Sequence, residues 1–231
     1  MTQTTEGLIL CGGWEGHDPV RIADIFRSLL VAHGLQVRVA EDLTVLDDRD
    51  MLSRLRILVP VWTGGELSAR RAENISAAVA GGTAVAGCHG GMCSAFHGCK
   101  RWYFITGGVF IEHPGDMIPY RVHIRDSSHP ITRDVPDFDV VTEQYYMHID
   151  PAVRVLATTH FPSPGGCGPH EANGPVEMPV VWTKYWGRGR IFYTSIGHDP
   201  QVLTAEPHGT ILRRGVEWAL QPANDRPGAS E

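Results

Sequence analysis

The feature that most constrains this chain is a set of short, nearly unbroken apolar runs, each stopping at glycine or at a polar loop. Gly7-Leu8-Ile9-Leu10-Cys11 stops at Gly12-Gly13, Leu55 to Trp62 (LRILVPVW) stops before the polar loop Thr63 to Glu66, and Thr83 to Gly87 runs into Cys88-His89-Gly90-Gly91. Runs this short without polar alternation suit strands buried on both faces of a parallel sheet, because a strand with one wet face alternates. Helical patterns separate them. Asp18 is placed to cap a helix that Pro19 opens. Ile22, Ile25, Phe26, Leu29 and Leu30 then repeat at helical spacing, and Gly34 supplies the stop. Gln36 to Ala40 reads as a strand, and Ser68 opens a second helix that runs to Ala80 and closes at Gly81-Gly82. Strand, helix, strand, strand, helix, strand predicts an α/β three-layer sandwich: a mostly parallel sheet with helices on both faces. In such sheets ligands bind outside the carboxyl ends of the strands.

The second half is less regular. Gly107 to Glu112, Tyr120 to Arg125, Val153 to Thr159, Met178 to Thr183 and Arg190 to Ile196 read as strands, and His208 to Leu220 as a last helix. The loop Pro162 to Gly174 is rich in Pro and Gly and is assigned no element. No repeat or linker divides the chain, so one domain over 7–220 is expected, with a polar, disordered tail at 221–231.

Composition narrows the function classes. With 20 Lys+Arg against 26 Asp+Glu the net charge is −6, and no basic stripe is present to meet phosphates, so nucleic acid is not an expected partner. No apolar run reaches membrane-spanning length, and the N-terminus lacks a basic, then apolar, secretory leader; a soluble cytoplasmic protein is expected. The five cysteines are scattered without a C-x-x-C pair and read as reduced, mostly buried thiols. A homo-oligomer is compatible with this composition.

The unusual resource is 12 histidines, several of them in strand-end loops. In Gly87-Cys88-His89-Gly90-Gly91 a strand turns sharply into a helix, and such a turn exposes its middle side chain at the top of the sheet. That residue is His89, a good acid, base or metal ligand and a poor nucleophile; Cys88 should point the opposite way, into the core. Tyr193 to Asp199 delivers His198 and Asp199 to another strand end. Glu143 to Asp150 sets Glu143 and His148 among aromatics, and Gly16-His17-Asp18-Pro19 adds His17 and Asp18. Two or three imidazoles with one carboxylate suit zinc, iron or manganese, with His17, His89 and His198 the candidate ligands, although no tight ligand spacing is present. Trp14 and Trp62 sit beside the same strand ends, where an aromatic face can carry a sugar ring; core packing is the competing role, above all for Trp62. His97, His123, His129 and His208 have no comparable context and read as structural or solvated.

These stretches resemble the trehalose-utilisation (ThuA-like) family. The likeness runs through Gly13 to Pro19, Pro60 to Thr63, Ala84 to Phe96, His113-Pro114-Gly115, His129 to Thr132, Glu143 to Pro151, Met178 to Trp182 and Gly187 to His198. It implies the class I glutamine amidotransferase-like fold, related to flavodoxin-like sheets. Those amidotransferases carry a cysteine at the elbow where this chain has His89, while His198 matches their late histidine; glutamine hydrolysis through a thioester is therefore not expected. The resemblance implies carbohydrate metabolism instead, with trehalose-like glycosides or their 3-keto derivatives as substrates. On that reading His89 or Glu143 is the base and His198 the acid, while Trp14, His17, Asp18, Trp62, His148 and Asp199 bind substrate and a divalent metal is a possible aid. The alternative is a sugar-binding or sensor protein that uses the same histidine-rich cleft without turnover.

Overall fold

The computed structural model describes residues 5–164 and 167–222. The chain forms β1 (Glu6–Gly13), α1 (Pro19–Ala32), β2 (Gln36–Ala40), α2 (Arg49–Arg54), β3 (Ile57–Thr63) and α3 (Ala69–Gly81). It continues with β4 (Ala84–Cys88), α4 (His89–Cys93), α5 (Lys100–Thr106), β5 (Gly108–Glu112), β6 (Met117–Ile124) and β7 (Phe138–Glu143). The last elements are β8 (Tyr146–Ile149), β9 (Arg154–Phe161), β10 (Val176–Trp186), β11 (Gly189–Thr194), α6 (Pro200–Thr204) and α7 (His208–Ala219).

The expected punctuation is where the structure places it. The Asp18 side chain accepts from Arg21 N at the start of α1, Ser68 does the same for α3 through Arg71 N, and Gly34 and Gly82 both hold positive φ just past those helices. The loop 162–174 contains a short 3-10 turn over Pro169–Asn173. Of the expected tail, residues 223–231 lie outside the described part of the chain.

Nine strands make one sheet in the order β2-β1-β3-β4-β11-β10-β9-β6-β7. From β2 to β11 the pairings are parallel, and from β11 to β7 they are antiparallel. The α/β core is thus the predicted parallel sheet, extended on one side by an antiparallel half. Burial follows the distinction: β4 and β11 are buried at every position, while β6 alternates exposed and buried because one of its faces is wet. Alternation along the parallel strands feeds two cores. Ile9, Val59, Ala86 and Phe192 face α1 and α7, whereas Leu8, Leu58, Val85 and Tyr193 face α3 and α5. A separate two-stranded ribbon pairs β5 with β8 and carries the chain back toward the parallel strand ends.

Two histidines are built into the apolar core. His208 Nδ1 lies 2.9 Å from the Leu203 carbonyl and Nε2 lies 2.8 Å from Thr194 Oγ1, and burial lowers its pKa to about 4. Burial, then the charge of Arg154, lowers His129 to about 4 as well. The folded pKa lies below the unfolded value of 6.5, so the unfolded chain takes up the proton first. Stability is therefore full above pH 6.5 and falls as pH drops toward 4. At pH 5 His208 alone lowers stability by about 2 kcal/mol relative to neutral pH. Urea unfolding at pH 7 and pH 5 checks this: His208→Gln should flatten the slope by about one proton, and an unchanged slope rejects the assignment.

Candidate functional site

His89 sits where β4 turns into α4, at φ +47, a left-handed conformation that few residues with a Cβ adopt. Contacts to its ring hold it there. Nδ1 lies 2.7 Å from the Ser195 carbonyl, Nε2 lies 3.0 Å from Glu143 Oε2, and the ring stacks on Tyr145 at 4.1 Å between centroids. The glycines that follow are needed for space. A Cβ on Gly91 would come within 3.1 Å of Val61 Cα, and one on Gly90 within 2.5 Å of the His17 ring.

Other strand ends supply the neighbours. After β1 the 3-10 turn Glu15–His17 turns His17 inward, where its Nδ1 meets Thr63 Oγ1 at 2.8 Å, at the end of β3. After β11, Gly197 (φ +147) lets the chain bend, and His198 Nδ1 comes to 3.1 Å from Glu143 Oε1. Glu143 arrives from the far edge of the sheet, as the last residue of β7. The next residue, Gln144, ties the crossing down by donating to Thr159 Oγ1 (2.7 Å) and the His160 carbonyl (3.1 Å). The structure therefore brings His17, His89, Glu143 and His198 together: one ligand-type atom from each lies within 4.8 Å of all the others.

The charges are strongly coupled. Burial works to raise the Glu143 carboxyl, but the close contacts and charge of His198 and His89 outweigh it and hold the group well below the usual carboxylate range. Burial, then the neighbouring His89, lowers His17 to about 3. Burial lowers His89 as well, against the pull of Glu143 and Ser195. His198, more open than the others, is raised by Glu143. The centre at neutral pH is an ionised carboxylate with two neutral imidazoles and one that readily takes a proton. Cys88, beside it in sequence, points into the α1/α7 core, and burial pushes its thiol up to about 12, so no thiolate nucleophile stands at this turn.

The remaining candidates divide. Trp14 is 57% exposed and stands edge-on to His17 at 4.6 Å, open to a ligand. Trp62 is half-buried against Gly12, where a Cβ would come within 2.6 Å of its ring, so packing accounts for it. Asp18 and Asp199 cap α1 and α6 through Arg21 N and Val202 N. His148 does not join the site. On β8 the buried residue is Met147, so its neighbour His148 faces solvent and lines a separate groove with Tyr103 and Phe104. Among the histidines set aside, His129 and His208 are core groups and His123 pairs with exposed Asp137.

Three participants escaped the sequence reading as site residues. His113 follows β5 and holds Nε2 3.8 Å from Glu143 Oε1, with its other nitrogen 3.3 Å from Asp116. Tyr145 stacks on His89, and Thr63 orients His17. His113 lies within His113-Pro114-Gly115, so its motif was visible while its destination was not.

The Gly90 geometry gives a clean test of the constellation. Gly90→Ala forces the His17 ring off Thr63 while leaving the core untouched; activity or ligand affinity should fall about 10–100-fold with a near-native melting temperature. Unchanged function in that variant would remove His17 from the site.

Fold and site together define an α/β protein of the class I glutamine amidotransferase-like architecture, with a histidine–glutamate centre at the strand ends. The chain belongs to the ThuA family, described as trehalose utilisation, whose family model matches residues 7–219. A ThuA-like protein from Bacteroides uniformis ATCC 8492 superposes with TM-score 0.72 at 16% identity, over 95% of this chain and 93% of that one. One from Parabacteroides merdae ATCC 43184 gives TM-score 0.73 at 20% identity, over 94% and 90%. The cytoplasmic protein STM1381 of Salmonella typhimurium LT2 gives 0.65 at 12% identity, over 93% and 99%. At these identities the likeness shows the shared fold. A search of curated proteins finds no match. Among the described residues no helix is long and apolar enough to cross a membrane.

Proposed function

We propose that this protein is an enzyme of carbohydrate metabolism that acts on trehalose-like glycosides, as their 3-keto derivatives, by histidine–glutamate acid–base chemistry. The observation that carries this reading is the junction of Glu143 with His89 and His198 at the strand ends, beneath exposed Trp14. Family membership adds the sugar class.

A carbonyl at one ring carbon acidifies the proton on its neighbour. Glu143 takes that proton, the electron pair forms the enolate, and the C–O bond to the leaving group breaks. His198 gives the leaving oxygen its proton; its raised pKa and partial exposure suit a donor in contact with both substrate and water. His89 is almost fully buried with both nitrogens engaged, so its role here is to position Glu143. His17, held by Thr63, faces the developing oxyanion, a contact worth about 3–4 kcal/mol when well placed. Trp14 offers its face to the sugar ring.

The test is a panel of disaccharides and their 3-keto forms, incubated with wild type, His198→Ala and His89→Ala and followed by product analysis and thermal shift. Turnover of a keto sugar that falls about 10²–10⁴-fold in His198→Ala supports the reading. Full turnover in His89→Ala would remove that residue from the machinery. Ligand-dependent stabilisation with no product from any sugar would make the protein a binder or sensor instead.

A further inference from the structure

The contacts around His89, His198 and His17 turn one ring nitrogen of each toward the Glu143 carboxylate. The Ser195 carbonyl can only accept, so the Nδ1 atom 2.7 Å away carries the hydrogen. Nε2 therefore faces inward, 3.0 Å from Glu143 Oε2. His198 Nδ1 repeats the pattern. It is buried and makes no hydrogen bond of acceptable angle, although Glu143 Oε1 lies 3.1 Å away. On the third side the Thr63 hydroxyl engages His17 Nδ1 and leaves Nε2 facing the same carboxylate at 4.0 Å.

We infer that His17, His89, His198 and Glu143 form a binding site for one divalent transition-metal ion of the zinc, iron or manganese class. Nε2 of His17, Nε2 of His89, Nδ1 of His198 and a Glu143 oxygen supply the ligands. One ligand-type atom from each of the four residues lies within 4.8 Å of the others, and ligands around a tetrahedral ion with bonds of about 2.1 Å stand about 3.4 Å apart, so modest side-chain adjustment closes the set. Three imidazoles and one carboxylate, with no thiolate, match ions of intermediate hardness. The supporting contacts are those a metal site needs: Ser195 O and Thr63 Oγ1 hold the outer nitrogens of His89 and His17 and so fix which nitrogen faces inward. His198 and His113 are the more open rings, with side chains 22% and 33% exposed, and mark the side from which a ligand enters.

For its chemistry this inference rests on the carbohydrate reading, but its test does not. It adds ion binding to His17, His89 and Glu143 and replaces the role of His198. With His198 on the ion, the imidazole left to face the leaving group is His113, whose Nε2 lies 3.8 Å from Glu143 Oε1 outside the ligand set.

The experiment uses the full chain without a polyhistidine tag, stripped with chelator and titrated calorimetrically with Zn²⁺, Mn²⁺ or Co²⁺ alone, beside elemental analysis of the protein as purified. One ion per chain is expected, with the Co²⁺ form showing the visible bands of a low-coordinate nitrogen–oxygen site. His89→Gln and Glu143→Gln should abolish stoichiometric binding, and Thr63→Val should weaken it about 10–100-fold. His113→Ala should bind the ion as wild type does while losing turnover. Circular dichroism confirms that each variant is folded. No ion at stoichiometry in wild type, or wild-type affinity in folded His89→Gln and Glu143→Gln, overturns the site. An ion bound by a protein that turns over no sugar keeps the metal centre and rejects the carbohydrate reading.

Discussion

Glu143→Gln is expected to cut turnover by about 10³-fold while the protein stays folded. Glu143 is the one carboxylate that the site's imidazoles share: Oε2 faces His89 at 3.0 Å and Oε1 faces His198 at 3.1 Å. Glutamine preserves the shape but removes the charge that raises His198 and the base that takes the substrate proton, a loss of the size that removing a general base produces. The swap leaves no buried charge behind, because His89 and His17 are favoured neutral and the amide can donate to His89 Nε2. Stability should therefore change by no more than about 2 kcal/mol. Glu143→Asp separates charge from position. The charge returns but the carboxylate retreats by one methylene, and a displacement of about 1 Å still costs about 10²-fold. Steady-state kinetics with melting curves on both variants decides it; wild-type turnover in Glu143→Gln would sink the catalytic reading.

Trp182→Ala is expected to destabilise the fold by about 3–5 kcal/mol. Trp182 is fully buried in β10, donates from Nε1 to the Thr106 carbonyl at 3.0 Å and packs on Tyr193 at 4.3 Å between centroids. Gly108 is bare so that the indole can lie there: a Cβ would come within 2.9 Å of it. Truncation leaves a cavity and an unpaired carbonyl, and in a chain of this size it should lower the melting temperature by roughly 10 °C. The damage should reach the site, because the Tyr193 hydroxyl that Trp182 supports donates to the His89 carbonyl at 3.1 Å. Activity should therefore fail at lower temperature than in wild type. Urea unfolding measures the first effect; a shift below about 1 kcal/mol would mean that this layer repacks freely.

The parallel half of the sheet was legible because its signals are local. Continuous apolar runs mark doubly buried strands, and Asp18, Pro19 and Gly34 punctuate α1 where the structure places its ends. The turn at His89 was legible too, since only small neighbours let the backbone pass there. The antiparallel half was less so. The strand from Phe138 to Glu143, the ribbon strand from Tyr146 to Ile149 and the helix from Lys100 to Thr106 passed unassigned, because their burial comes from partners far along the chain.

The candidate site divides along the same line. His17, His89, Glu143 and His198 were identifiable as loop-borne groups, but His89 and Glu143 are 54 residues apart and meet only because β7 and the Gln144 anchor bring the carboxylate across the sheet ends. The same blindness admitted His148, which strand alternation turns to solvent, and left out His113, which the β5–β8 ribbon brings beside Glu143. Asp18 and Asp199 show the limit in another form, since an aspartate before a helix reads alike whether it caps the helix or binds a ligand, and here both cap.

By itself the sequence determined what short-range physics controls: which runs are buried on both faces, where helices start and stop, and that a histidine occupies the tight turn after the fourth strand. Which of the 12 histidines share one carboxylate was decided by the tertiary structure alone, because that choice depends on strand order and side-chain direction across the sheet.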